Sequence, residues 1–143
     1  MKISMIEHQT TIKIRYGETD KMGYVHHSNY PLYLEEARMD LLQKIGMNYK
    51  EVEDTGVILP LVSMNFRFYS PLFYDDVITI KTALTRPSGI RLIFDYAIFN
   101  QQNKLVCKAE TALVFADMRT GKPLKPPNEY LKKFVEEVEI VDP

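Results

Sequence analysis

Apolar and polar residues alternate with a period of two in five stretches of the chain, a pattern typical of half-buried β-strands. These stretches are residues 11–16, 62–68, 77–85, 92–98 and 105–116. Between the first and the second, apolar residues recur at steps of three and four, which predicts one long amphipathic helix. Its apolar face consists of Tyr30, Leu34, Ala37, Leu41 and Ile45. Ser28 fits the N-cap of this helix, Pro31 its first turn and Gly46 its end.

The connections between the predicted strands are too short for parallel crossovers, so we expect antiparallel strands. Breaks at residues 70–71, 87–89 and 100–103 suit a meander, and a short helix is predicted over residues 127–138. One long helix against a curled antiparallel sheet is an α+β plan. Since one helix covers only one face of such a sheet, we expect a second subunit to bury the sheet edge or the outer face.

The N-terminal residues have the weakest pattern. Residues 1–9 show no clear periodicity and are expected to form a loose or pairing terminus, with His8 at the surface. The first strand is predicted to begin at Thr11, with Ile12, Ile14 and Tyr16 on its buried side.

Composition limits the classes of function. The chain has 143 residues and a formal net charge of -1, so we expect a single domain over residues 1–143 and no nucleic-acid or membrane partner. Its one cysteine, Cys107, excludes an internal disulfide framework and is expected to be a core residue. Without a signal-peptide pattern or a long apolar run, the expected location is the cytoplasm.

The residues with catalytic potential cluster just before the long helix, where Asp20, His26, His27, Ser28 and Asn29 fall within ten positions. A helix start offers unpaired backbone N–H groups and a partial positive charge, which favour a developing oxyanion. A carboxylate and a histidine that bracket such a start can perform acyl-transfer chemistry.

Two other interpretations of this cluster stay open from the residues alone. Asp20 can cap a turn at Met22–Gly23, which would leave His26 and His27 as ordinary loop residues. A metal site is the other alternative, but adjacent histidines on a helix point about 100° apart, and no third ligand is suitably spaced.

The segment YGETDKMGYVHHSNYPLYLEEARMDLL, residues 16–42, resembles the opening segment of the 4-hydroxybenzoyl-CoA thioesterase family, which has the hotdog fold. The later segments FRFYSPLFYDDVITI and RPSGIRLIFDYAIFN are similar to that family's layout of a strand, a proline turn and a hairpin. The resemblance covers about residues 10–118. It implies a long central helix wrapped by a curved antiparallel sheet of about five strands.

The resemblance also implies an acyl-CoA thioesterase that needs no metal or other cofactor. The catalytic group is then Asp20, as a nucleophile or as a general base for water, and the backbone N–H near His27 polarises the thioester carbonyl. His27 is expected to assist catalysis, although the adjacent His26 leaves open which imidazole faces the site. The family's sites lie between subunits, so a homodimer or homotetramer is expected.

Substrate contacts are implied at two places. Around the helix start they are Gly23, Tyr24, His26, Asn29, Tyr30 and Phe66, and in the predicted hairpin near the CoA tail they are Arg86, Ser88, Gly89 and Arg91. Each group has a structural alternative: Asn29 can hold the loop, the aromatic residues can be core, and the arginines can be solvated surface charge. The acyl preference and the handle, CoA or acyl-carrier protein, stay open.

Two other functions are compatible with the sequence. The first is an enoyl hydratase or dehydratase on the same fold, which also uses a carboxylate and a histidine. The second is a non-catalytic module that binds an acyl thioester.

Overall fold

The computed structural model describes residues 3–88, 91–130 and 139–141, of which residues 3–5, 86–88 and 139–141 are described by backbone alone. The main helices and strands follow one another along these ranges. They are β1 (Ile3–Lys13), α1 (Tyr30–Lys44), α2 (Tyr49–Asp54), β2 (Val57–Ile58), β3 (Leu61–Phe68), β4 (Val77–Ser88), β5 (Arg91–Phe99), β6 (Leu105–Val114), β7 (Ala116–Asp117) and β8 (Glu139–Val141).

The main sheet is antiparallel and has the strand order β3-β6-β5-β4-β1-β8, while β2 and β7 form a separate small pair. Helix α1 packs on one face of this sheet, chiefly against β1 and β4. Its residues Leu34, Ala37 and Leu41 are completely buried, as are Ile80 and Phe94 on the sheet. The predicted helix and all five predicted strands are present, so the predicted α+β fold is confirmed.

The position of β3 differs from the predicted meander. Strands β4, β5 and β6 are sequential neighbours, but β3 pairs with β6 at the far edge of the sheet. The break at Ser70–Pro71 is therefore a crossing connection and not a hairpin turn. The free edge of β3 carries exposed apolar residues, with Val62 49% and Phe68 50% exposed. A second subunit over this edge or the outer face remains a prediction.

Strand β1 begins earlier than predicted and also ends earlier. Its pairing with β4 extends back to Met5, because the twelve-residue β4 offers partners along its whole length. Tyr16 is 75% exposed and lies beyond the strand, so its predicted burial is wrong. His8 is not a free surface residue, since its Nε2 lies 2.8 Å from Oδ2 of Asp40 on α1.

The ends of several elements also differ. Ser28 is not the N-cap of α1; it lies inside a short 3-10 helix, His27–Asn29, that precedes α1. The predicted strand over residues 105–116 divides at Phe115, after which β7 pairs with β2. Residues 128–130 are helical, and residues 131–138 of the predicted helix lie outside the described residues. Strand β8 was not predicted.

No helix in the described ranges is both long and apolar enough to cross a bilayer.

Candidate active site

The loop between β1 and α1 folds back on itself and carries the predicted catalytic residues. Backbone hydrogen bonds join Asp20 N to Tyr24 O at 2.7 Å and His26 N to Glu18 O at 2.9 Å. The Asn29 side chain adds a further link, since its Nδ2 donates to Glu18 O at 2.8 Å and to His26 O at 3.1 Å. These contacts hold the turn that contains Asp20 beside the start of α1. Asn29 therefore holds the loop, which is the structural role that the sequence offered as the alternative to a substrate contact.

Asp20 uses one carboxylate oxygen for the turn and leaves the other one free. Its Oδ1 accepts the backbone N–H of Met22 at 2.8 Å and of Tyr24 at 3.1 Å. The turn closes at Gly23, whose φ of 85° is costly for residues with a side chain. Oδ2 has no hydrogen-bond partner in the described ranges, and Asp20 is exposed. The turn-capping interpretation is therefore correct for Oδ1, while Oδ2 is available for chemistry.

The first residue of the short 3-10 helix, His27, has a backbone N–H that is not used within the described residues. Ser28 N donates to Nδ1 of His26 at 3.2 Å, and Asn29 N donates to His26 O at 3.0 Å. The N–H of His27 has no acceptor among the residues that the structure describes. It lies at the positive end of the peptide dipoles of this turn and α1, where negative charge is stabilised. This N–H is the one predicted near His27 as an oxyanion donor.

The two adjacent imidazoles have different surroundings. Nδ1 of His26 lies 2.8 Å from Oγ of Ser28 and caps the short helix, so His26 has a structural task. The ring of His27 packs against that of His26 with a centroid distance of 4.2 Å and forms no hydrogen bond with a described residue. Neither ring is hydrogen-bonded to Asp20 in that part of the chain. The free ring of His27 fits the predicted assisting role better than that of His26.

Glu18 is a buried neighbour of the candidate site that the sequence did not reveal. It is 8% exposed, and its carboxylate accepts Arg15 N at 2.8 Å, Arg15 Nη2 at 3.0 Å and the Tyr33 hydroxyl at 3.1 Å. Burial opposes ionisation, but the hydrogen bonds from Arg15 and Tyr33 outweigh it and lower the pKa of Glu18. The signal in the sequence was the spacing of three between Arg15 and Glu18, which lets the glutamate accept the backbone N–H of the residue before a short helix.

The aromatic residues implied as substrate contacts divide into core and accessible groups. Tyr30 is 4% exposed, and burial raises its pKa to about 12, so it belongs to the core. Its ring contacts Phe68, which stacks on the partly buried Phe66 at 5.7 Å. Tyr24 is 38% exposed and packs on Phe73 at 5.2 Å. Tyr24 and Phe66 therefore remain accessible, whereas Tyr30 is a core residue that contacts Phe68.

The predicted CoA hairpin lies far from Asp20 within one subunit. Arg91 is exposed at the start of β5, in register with Ser88, whereas the Asp20 loop lies near Val77 at the other end of β4. Twelve residues of strand separate these ends by about 35 Å. Gly89 and the side chains of Arg86 and Ser88 lie outside the described residues. One chain therefore does not bring the hairpin and Asp20 together.

The described residues offer neither a reactive cysteine nor a group of side chains that could bind a metal ion. Cys107 is completely buried, and burial raises the pKa of its thiol to about 11, as expected for a core residue. The described ranges hold no group of three histidine, cysteine, aspartate or glutamate side chains arranged to bind a metal ion.

Comparison with known proteins identifies the family of the chain. Residues 14–134 match the Thioesterase-like superfamily. The chain belongs to this superfamily. It is 28% identical to the acyl-CoA thioester hydrolase YbgC of Escherichia coli over 123 residues, which are 86% of this chain and 92% of that protein. The predicted family and the prediction of a thioester hydrolase are thereby confirmed.

Two solved structures share the fold. The DHNA-CoA thioesterase of Staphylococcus aureus superposes with a TM-score of 0.87 and 31% identity, covering 92% of this chain and 90% of that chain. The 4-hydroxybenzoyl-CoA thioesterase of Pseudomonas sp. strain CBS-3 superposes with a TM-score of 0.80 and 25% identity, covering 90% and 99%. The fold of this chain is the hotdog fold.

Proposed function

We propose that the chain hydrolyses acyl-CoA thioesters to a free acid and CoA, with Asp20 as the catalytic carboxylate and the N–H of His27 as the oxyanion donor. The observation that carries this proposal is the folded-back loop, whose hydrogen bonds tie the turn with the free carboxylate oxygen of Asp20 to the segment with an unused helix-start N–H. The substrate class in the names of the relatives supports it.

Hydrolysis of a thioester requires few catalytic groups from the protein. A thiolate leaving group has a pKa of about 8.5, so it departs without strong acid assistance. The remaining requirements are a nucleophile, or a base that activates water, and a donor for the carbonyl oxyanion. Asp20 supplies the first through Oδ2, which forms no bond with a described residue, and the N–H of His27 supplies the second. One such donor typically lowers the barrier by about 3–4 kcal/mol.

The complete site is proposed to include a second copy of the chain. The turn with Asp20 lines none of four prominent cavities of the described residues, so we propose that a partner completes the surface around the thioester group itself. The hairpin with Arg91 lies at the opposite end of β4 from Asp20, and a partner's hairpin can supply the CoA contacts. A homodimer or a dimer of dimers satisfies both observations.

The experiment for this proposal is thiol release by the purified chain from a panel of aliphatic and aromatic acyl-CoA esters. We expect hydrolysis of at least one class well above the rate without protein. Hydration of an enoyl-CoA with the thioester left intact would instead identify a hydratase. Tight acyl-CoA binding without any thiol release would identify a binding module and contradict the proposal.

Replacement of His27 by alanine is expected to lower the rate of thiol release about tenfold, because the unengaged imidazole no longer assists proton transfer. The matched change is His26→Asn, since asparagine also caps helices and can accept the N–H of Ser28. This control should retain turnover within about threefold. Both variants are measured by steady-state thiol release, and an equal or reversed ranking would assign the assisting role to His26.

Replacement of Arg91 by alanine is expected to raise the KM for acyl-CoA about tenfold, because a charged hydrogen bond to phosphate is lost. The KM for the matching pantetheine thioester, which lacks the nucleotide, should change little. Arg67→Ala, at the far end of β3, is the control. Equal losses for both substrates would show that Arg91 does not recognise the nucleotide; Arg86 is tested in the same way.

A further inference from the structure

A cavity of about 420 Å³ lies between α1 and the sheet strands β3, β5 and β6. Its inner wall is apolar and buried, and it includes Leu42, Leu59, Phe94 and Leu113, each 3% exposed or less. Its rim includes Leu32, which is 58% exposed, and Pro31 in the first turn of α1. One part of the rim thus lies beside the helix start that carries the proposed oxyanion donor, and the exposed Glu35 and Leu61 border the cavity elsewhere.

Arg38 lines this cavity as a buried cation. It is 7% exposed, and its Nη1 donates to the Tyr96 hydroxyl at 3.1 Å, which lies 2.7 Å from Oγ1 of Thr111. This is the one hydrogen bond of the guanidinium among the described residues, none of which forms an ion pair with it. Glu35, one turn earlier on α1, is exposed on the same cavity and is not paired with Arg38.

An arginine remains charged under all ordinary conditions, so its burial without an anion is unfavourable. The planar guanidinium matches a carboxylate, which it can bind through two parallel N–H···O bonds. The apolar wall lowers the local dielectric constant and so strengthens such a contact. The cavity therefore suits a ligand that is apolar along its length and anionic at its inner end.

We propose that this cavity receives the far end of the acyl group and that the preferred substrates are monothioesters of dicarboxylic acids, whose second carboxylate binds Arg38. The proposal rests on the thioesterase function proposed above. Arg38 follows Tyr30 by eight residues, which is about 12 Å along the helix axis. Its side chain leans towards the N-terminus of α1, so the guanidinium lies nearer to the thioester than this. A medium-length acyl chain has that reach.

The test compares suberyl-CoA with octanoyl-CoA, which have equally long acyl chains ending in a carboxylate and in a methyl group. We expect the wild type to hydrolyse suberyl-CoA with a kcat/KM at least about tenfold higher. Arg38→Met should remove this preference by lowering the value for suberyl-CoA alone, and Arg67→Met on β3 should retain it. No wild-type preference, or an equal loss of both activities in Arg38→Met, would overturn the proposal.

A binding measurement tests this proposal independently of the proposed catalysis. Calorimetric titration of the two esters into the Asp20→Asn variant needs no turnover, and we expect suberyl-CoA to bind about tenfold more tightly. Arg38→Lys, combined with Asp20→Asn, keeps the positive charge but not the planar guanidinium, so it should retain part of the difference in affinity between the two esters. This variant keeps the test valid if Arg38→Met does not fold. Equal affinities overturn the cavity assignment whether or not the wild type hydrolyses either ester. A suberyl preference in binding with no hydrolysis supports the cavity and contradicts only the thioesterase function.

Discussion

Replacement of Asp20 by asparagine is expected to lower the rate of thiol release from acyl-CoA at least about 100-fold while the fold is kept. The asparagine carbonyl oxygen can still accept the N–H groups of Met22 and Tyr24, so the turn survives. Its amide nitrogen replaces Oδ2, the oxygen proposed to attack the thioester or to activate water. The loss should fall on kcat more than on KM, because the group acts mainly in the transition state. Steady-state assays of thiol release check this.

The matched control is Asp75→Asn. Asp75 is another exposed aspartate, paired with Lys13 at 3.0 Å, and asparagine tolerates its positive φ of 70°. This variant should keep turnover within about threefold, and both variants should have thermal midpoints near that of the wild type. Turnover of Asp20→Asn close to the wild-type rate would remove Asp20 from the catalytic role.

Replacement of Glu18 by alanine is expected to lower the free energy of unfolding by about 2–3 kcal/mol, since Tyr33 and Arg15 N lose their acceptor. At constant protein concentration this corresponds to a thermal midpoint about 5–10 °C lower. Turnover should fall as well, because the same segment supports the helix start. Thermal and chemical denaturation measure the first effect, and thiol release measures the second. The control is Glu36→Ala, on the exposed face of α1, which should change stability by less than about 0.5 kcal/mol.

Glu18 also makes stability depend on pH. Its pKa in the folded chain is below the ordinary value of 4.5, so its contribution is complete above that value. The contribution is lost as the pH falls from about 4.5 through the lower pKa of the folded state. The stability difference between the wild type and Glu18→Gln should therefore shrink over this range. A difference that stays constant down to the acid limit would show that the ionised form of Glu18 contributes nothing.

The sequence predicted the positions of the helices and strands along the chain better than it predicted which strands are neighbours in the sheet. Period-two alternation located the strands, and the recurrence from Tyr30 to Ile45 located α1, because both patterns follow from burial of one face. The placement of β3 beside β6 could not be read from the sequence, since a turn signal at Ser70–Pro71 does not distinguish a hairpin from a crossing. The extension of β1 back to Met5 depends on the length of β4, and Ile3 at its start pairs with β8; local periodicity reports neither.

The candidate site was also predicted only in part from the sequence. The motif from Asp20 to Tyr30 indicated the proposed catalytic carboxylate and the helix start, because both lie within one short segment. The division of labour between the two oxygens of Asp20, and between His26 and His27, depends on hydrogen bonds that only the folded loop defines. Glu18 and Arg38 were not predicted as site residues. Their proposed roles depend on their burial, and the burial of a charged residue cannot be predicted from the sequence.

The most direct test of the account is a crystal structure of the Asp20→Asn variant with an unhydrolysed acyl-CoA bound. We expect the thioester carbonyl oxygen about 2.7–3.1 Å from the N–H of His27, and the side chain of residue 20 next to the carbonyl carbon at a boundary between two subunits. A thioester bound elsewhere, with the side chain of residue 20 facing open solvent, would contradict it.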